Sequence, residues 1–250
     1  MYLQVKEDVK ACLRLASKVA LTTDSWTFRA TESYVTVTAC FIALDWTLQS
    51  YVLQTRALPE SHTGTNIAAV LLSAVNEWGI PSNPPLVTDN ASNMAVAASE
   101  AGCNPHTGCY AHTLNLAAQK GLKISDVSRL LGRIRRIVSF FHRSAVAAGI
   151  LRDKIELLSL PKHKLIQDVC TRWNSAADMI DRFLELQPAV YAALTSKEIC
   201  SVNKDVSTLS ETDISNAEEV LACLKPIRTV TTVLCTEETP TISIILPLQN

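Results

Sequence analysis

The sequence predicts an α/β protein: a mixed sheet with helices on its faces, followed by an all-helical block. Three observations carry this. Residues 19–24, 34–44 and 47–56 are rich in β-branched and aromatic side chains, and turn residues at 29–33 and 45–46 separate them, which reads as a meander. From residue 65 onward, stretches with helical periodicity alternate with short apolar runs, so the order becomes βββαβαβα. Beyond residue 122 strand-like runs disappear. The chain therefore divides into an N-terminal helix (1–18), a sheet core (19–120) and a helical part (121–250).

Each element has a local reason. Residues 3–17 place Val5, Val9, Cys12, Leu13 and Leu15 as the apolar positions of an amphipathic helix. In 65–78, Ile67, Val70, Leu71, Ala74, Val75 and Trp78 fall on one face, and Gly79 and Pro81 end the helix. Pro84 and Pro85 precede a strand at 86–88. A helix at 91–101 is closed by Gly102, a strand follows at 107–109, and a helix at 111–119. The second part reads as helices at 125–142, 145–158, 164–174 and 175–195, with Pro188 expected to kink or break the last. Residues 196–213 are polar and read as a loop. Ser215-Asn-Ala-Glu218 reads as a capping box before Val220, Leu221 and Leu224, in a helix kinked near Pro226.

Composition excludes some classes. Of 250 residues, 48% are apolar, enough for a substantial core. No apolar run reaches the roughly 18 residues of a transmembrane helix, and the N-terminus lacks the order of a secretory signal, so no membrane partner is expected. The eight cysteines are scattered through apolar runs, which suits reduced thiols in a cytosolic or nuclear compartment. The net charge of −1 is uneven: residues 120–172 hold twelve Lys or Arg against four Asp or Glu. That basic stretch suggests a polyanion partner. Arg129, Arg133 and Arg136 share a helical face opposite apolar Ile134, Ile137, Val138 and Phe141.

Two aspartates draw the most attention, each closing a short apolar stretch: Asp24 in Thr23-Asp-Ser-Trp26 and Asp89 in Leu86-Val-Thr-Asp89-Asn-Ala-Ser-Asn-Met94. Carboxylates at strand ends can share a hard divalent cation, and such sites activate water and steady phosphoryl oxygens. Each could also simply cap a turn or a helix. Downstream lie Gly108-Cys-Tyr-Ala-His112, Thr171-Arg-Trp-Asn-Ser175 and Thr239-Pro-Thr-Ile-Ser243. These motifs, in this order, resemble the hAT superfamily of cut-and-paste DNA transposases, and among them the transposase-derived zinc-finger BED-domain proteins of animals. The resemblance extends over nearly the whole chain, and its specificity lies in the ordered set rather than in any one motif.

The resemblance implies a ribonuclease-H-like core interrupted by an all-helical insertion. It places two of the family's three catalytic acids on Asp24 and Asp89, where weakly bound Mg or Mn is expected. It puts Cys109 and His112 near that site, and the Arg172–Trp173 pair near the catalytic centre, where the guanidinium can fork onto a DNA phosphate and the indole stack on a base. The alternatives are a core histidine at 112, and Trp173 packed in the helical core with Arg172 on the surface. The family's third acid, a Glu, has no counterpart here, so the core is expected to be incomplete. The BED finger and the dimerisation segment are likewise unmatched. Cys103, His106, Cys109 and His112 recur every three residues, but four ligands in so short a span do not converge as structural zinc ligands do, and no zinc is expected. The expectation is a nuclear, transposase-derived protein that binds DNA without sequence preference and is catalytically inactive as this chain. The alternatives are an active metal-dependent transposase or nuclease whose third acid comes from elsewhere, and a protein-interaction module that touches no nucleic acid.

Overall fold

A computed structural model of the protein describes residues 1–27, 32–169, 172–201, 205–236 and 239–245. Residues 29–31 of the first expected turn, Thr171 of the Thr-Arg-Trp motif and residues 202–204 of the expected loop lie outside them. The chain forms two compact units, one of Met1–Thr113 with Val233–Asn250 and one of Leu114–Thr232.

The first unit is a mixed α/β layer. Helix α1 (Tyr2–Leu15) precedes β1 (Ala20–Thr27), β2 (Ser33–Ile42) and β3 (Leu48–Ala57). Helix α2 (Gly64–Trp78), β4 (Leu86–Thr88), α3 (Ser92–Glu100) and β5 (His106–Gly108) follow. The five strands lie in the order β3-β2-β1-β4-β5. The meander pairs antiparallel, and β4 and β5 add parallel to β1. Alternation decides the faces. Leu21, Val35, Val37, Ala39, Phe41, Leu53 and Leu86 are buried with Ile67, Leu71 and Ala74 of α2 and Met94 and Ala97 of α3. Thr63 caps α2 by accepting the Asn66 N–H (3.3 Å), and Gly79 ends it at φ +65, a left-handed position that suits glycine.

One expectation about β1 needs correction. Asp24 does not end the strand, because β2 continues to pair through Ser25, Trp26 and Thr27. On its other side, however, the β1–β4 ladder holds only Leu21↔Leu86 and Thr22↔Val87. Asp24 thus lies inside one ladder and beyond the end of the other.

Among the described residues the second unit is helical. After α4 (Tyr110–Leu122) come α5 (Ser125–Arg143), α6 (Ala145–Leu157), α7 (Trp173–Leu194), α8 (Lys197–Cys200) and α9 (Glu211–Leu234). Leu130, Ile134, Ile137, Val138 and Phe141 of α5 pack with Leu151 and Ile155 of α6, Met179, Ile180 and Phe183 of α7, and Leu221 and Leu224 of α9. Pro188 does not break α7. Its neighbours Leu186, Ala189, Val190 and Ala193 are buried, which offsets a penalty of about 3 kcal/mol for an interior proline.

Two local readings fail here. Residues 164–169 form no helix. The spacing of Leu165 and Asp168 looks helical, but the segment is an irregular strap pinned by long-range bonds, described below. The start of α9 is also displaced. Ser210 and Asp213 form the reciprocal cap, with Asp213 N–H on Ser210 Oγ (3.2 Å) and Ser210 N–H on Asp213 Oδ2 (2.9 Å), so the helix begins ahead of Ser215.

Candidate functional site

The two acids lie past the short ladder that joins β1 to β4, Asp24 within β1 and Asp89 one residue after β4. Continued two residues beyond its last pair, the β1–β4 register would set Asp24 level with Asp89. Within β1, Asp24 is three residues from Leu21 and so projects to the opposite face. Asp24 is exposed and Asp89 half-buried. Each spends one oxygen locally: Asp24 Oδ1 accepts the Ser25 N–H (2.9 Å) and Asp89 Oδ1 the Ala91 N–H (3.1 Å). The second oxygen of each makes no hydrogen bond among the described residues. Two accessible oxygen donors set at one level would fit a hard divalent cation. If bound there, such an ion would polarise a phosphoryl oxygen or a water. Among the described residues no three His, Cys, Asp or Glu side chains gather in a group that could hold a metal ion, so Cys103, His106, Cys109 and His112 form no such cluster.

The loop carrying Asp89 is held from the β5 side. Thr88 Oγ1, buried, donates to the Asp89 carbonyl (2.7 Å) and lies 2.9 Å from His106 Nε2. Its one proton is used on that carbonyl, so Nε2 must be the donor in the second bond. Cys109 contributes its backbone, with its N–H on the Thr88 carbonyl (2.7 Å) and its own carbonyl accepting from Thr113 Oγ1 (3.3 Å). Asn90 Nδ2 donates to Thr113 Oγ1 (2.7 Å). Gly108 leaves room for this: a Cβ there would lie 2.1 Å from Asn90 Oδ1. His112 is half-exposed in the first turn of α4. Sequence reasoning assigned Thr88, Asn90 and Gly108 no role of their own and considered His106 only as a zinc ligand. The signals were the polar Thr-Asp-Asn run closing an apolar strand and the Gly108-Cys motif.

Trp26 shares a face of β1 with Asp24, is 42% exposed, and stacks on Tyr34 of β2 with ring centroids 5.9 Å apart. The Tyr34 hydroxyl donates to Glu32 (2.8 Å), and that carboxylate holds the phenol above its ordinary pKa.

The basic residues of the second unit differ in their freedom. Arg129 is highly exposed and pairs with Asp126 one turn earlier on α5. Arg133 is tied down, with Nη1 on Asp213 (2.7 Å) and Nη2 on the Thr208 carbonyl (3.5 Å), so it anchors the start of α9. That contact and the Ser210 hydroxyl, the hydroxyl more strongly, lower the Asp213 pKa. Arg136 is exposed and makes no ion pair among the described residues. Arg172 is exposed at the N-cap of α7. Trp173, one residue on, is 2% exposed in the helical core. An indole so buried has no face for a base, and the stacking role expected of Trp173 is withdrawn.

The fold defines a class: a five-stranded mixed-sheet α/β unit accompanied by a helical unit. Comparison with known proteins gives it a family. Residues 22–101 match the ZBED1 RNase-like domain and residues 107–223 the ZBED1 RNase-like helical domain. The putative AC transposase of Zea mays is 30% identical over 213 residues, 78% of this chain and 26% of the maize protein. Zinc finger BED domain-containing protein 4 of Homo sapiens is 28% identical over 76% of this chain and 17% of its own length. The putative transcriptional regulator tpeD of Talaromyces stipitatus is 27% identical over 98% of this chain and 33% of its own length. The chain belongs to the hAT transposase-derived, BED-type family. It spans about a third or less of the length of these relatives.

Proposed function

We propose that this protein is a nuclear, transposase-derived DNA-binding protein. In this reading residues 19–120 are a ribonuclease-H-like core with Asp24 and Asp89 as the remaining acid pair, and residues 121–250 are the helical insertion. The strand order β3-β2-β1-β4-β5, with β1 and β4 parallel neighbours, supports it most strongly. Two carboxylates are a partial ligand set for phosphoryl transfer, so we read the region as binding a divalent ion weakly without completing strand transfer. Relatives are named a putative transposase and a putative transcriptional regulator, which supports a nuclear role, and no helix among the described residues is long and apolar enough to cross a membrane.

DNA contact falls to the exposed cations of the second unit, Arg136 and Arg172 before Arg133, with Arg129 available when it leaves Asp126. Such phosphate contacts carry affinity but no base information. Duplex affinity should fall steeply with salt, and Arg136→Glu should flatten the dependence by about 0.9 in log–log slope for each phosphate it leaves unneutralised. Salt-independent affinity, or none, would favour a protein-interaction module. For the acid pair, Mn²⁺ titration should detect weak binding that the Asp24→Asn, Asp89→Asn variant loses. The acid pair itself favours a second reading, an active nuclease. Single-turnover nicking with Mg²⁺ that vanishes in both Asp24→Ala and Asp89→Ala would establish it over the first.

A further inference from the structure

The strap at residues 160–169 is held with more care than a loop between two helices requires. Asp168 is buried in it, with its side chain 1% exposed, and it takes a forked pair of bonds from Arg135 on α5: Nε on Oδ1 (2.8 Å) and Nη2 on Oδ2 (2.6 Å). Leu165 is buried in the helical core, and its carbonyl accepts from His142 Nε2 (3.0 Å). Gln167 meets Ser139, one turn from Arg135 (3.0 Å). At the end of the strap, Ser175 Oγ accepts the Val169 N–H (2.8 Å) and sits 2.6 Å from the Arg172 carbonyl, while the Arg172 N–H donates to the Val169 carbonyl (2.9 Å). These bonds close around Arg172, which is exposed at the N-cap of a long helix whose next residue is locked in the core.

A buried ion pair contributes little net stability against a well-packed apolar replacement, but its forked geometry fixes orientation. We propose that Asp168, gripped by Arg135, together with Ser175, positions Arg172 for a DNA phosphate. Asp168 and Ser175 touch no DNA themselves; they are positioning residues acting through Val169, next to Asp168, and the bonds that Val169 and Ser175 make to the Arg172 backbone. The inference rests on the DNA-binding reading above and adds residues that no motif singled out for this role. Holding the guanidinium's backbone in place reduces the freedom lost on binding, so affinity should depend on residues that carry no charge toward the DNA.

The test measures duplex DNA affinity against salt for the whole chain. The variants are Arg172→Ala, Asp168→Asn, Ser175→Ala, and Arg172→Ala combined with each of the other two. Thermal melts show which variants are folded. Arg172→Ala should flatten the log–log salt slope by about 0.9. Ser175→Ala, which leaves no buried charge unpaired, and Asp168→Asn, where it folds, should each weaken binding at least threefold. Neither should weaken it further in the Arg172→Ala background, because the three act through one contact. A purely structural role would lower the melting temperature while leaving affinity unchanged or additive. Folded Ser175→Ala with wild-type affinity, beside an Arg172→Ala that loses affinity, would overturn the positioning role and leave DNA binding standing. If Arg172→Ala changes nothing while Arg136→Glu still flattens the slope, the positioning role falls and DNA binding again stands. If neither changes the slope, the DNA-binding reading falls with it.

Discussion

The two units bring distant residues together by different means. In the sheet unit, backbone register does it: β1 and β4 pair in parallel at Leu21↔Leu86 and Thr22↔Val87, although these residues are remote in sequence. In the helical unit, side chains do it: Arg135 reaches Asp168 over 33 residues and Arg133 reaches Asp213 over 80. Register is a consequence of a period-two pattern that the sequence displays, since a one-residue slip would turn every buried side chain of β1 to solvent. An ion pair between remote residues has no periodic signature. The side-chain pairs that hold the strap before Arg172 were therefore not foreseeable.

That contrast can be broken most sharply at Trp173. Its burial at 2% exposure makes it structural, so Trp173→Ala should destabilise the helical unit by about 3–5 kcal/mol in urea unfolding. A loss below about 1 kcal/mol would mean the indole is not a core residue and would restore base stacking as its role.

Next comes the loop of the sheet unit. Gly108→Ala places a methyl on Asn90 Oδ1, and Asn90 is tied to Thr113, so it should destabilise by about 1–2 kcal/mol. Asn90→Ala in the same chain should recover part of that loss. Two independent, additive losses would show that the Asp89 loop is not held by this contact.

The side-chain mode is sharpened at Asp213. Its folded pKa is lowered, chiefly by the Ser210 hydroxyl and further by Arg133, so its contribution is present above the ordinary carboxylate value near 4. The contribution is lost as pH falls through the lower folded value. Asp213→Asn should be less stable than wild type by about 1 kcal/mol at pH 7, with the two converging as the medium becomes strongly acidic. A gap that persists unchanged at low pH would assign the effect to something other than the carboxylate's charge.

The smallest effect is expected at the acid pair. Asp24 is exposed with one local bond, so Asp24→Asn should alter stability by no more than about 0.5 kcal/mol. A large stability change would make Asp24 part of the architecture and weaken its reading as a site.

The sequence by itself determined the sheet unit to within a residue or two at most ends, the two faces of its strands, the apolar face of α5 and the family. All of these follow from periodicity, turn residues and ordered motifs, which are local. The tertiary structure alone decided which of the conspicuous cations remain available. Arg133 and Arg136 look equivalent on one helix face, yet Asp213 captures the first and leaves the second in solvent. It also decided that Trp173 belongs to the core while Arg172 beside it does not, and that residues 164–169 form no helix although their spacing is helical. A helix and a strap can bury the same residues; what separates them is whether remote partners such as His142, on the Leu165 carbonyl, satisfy the backbone groups that a helix would have satisfied within itself.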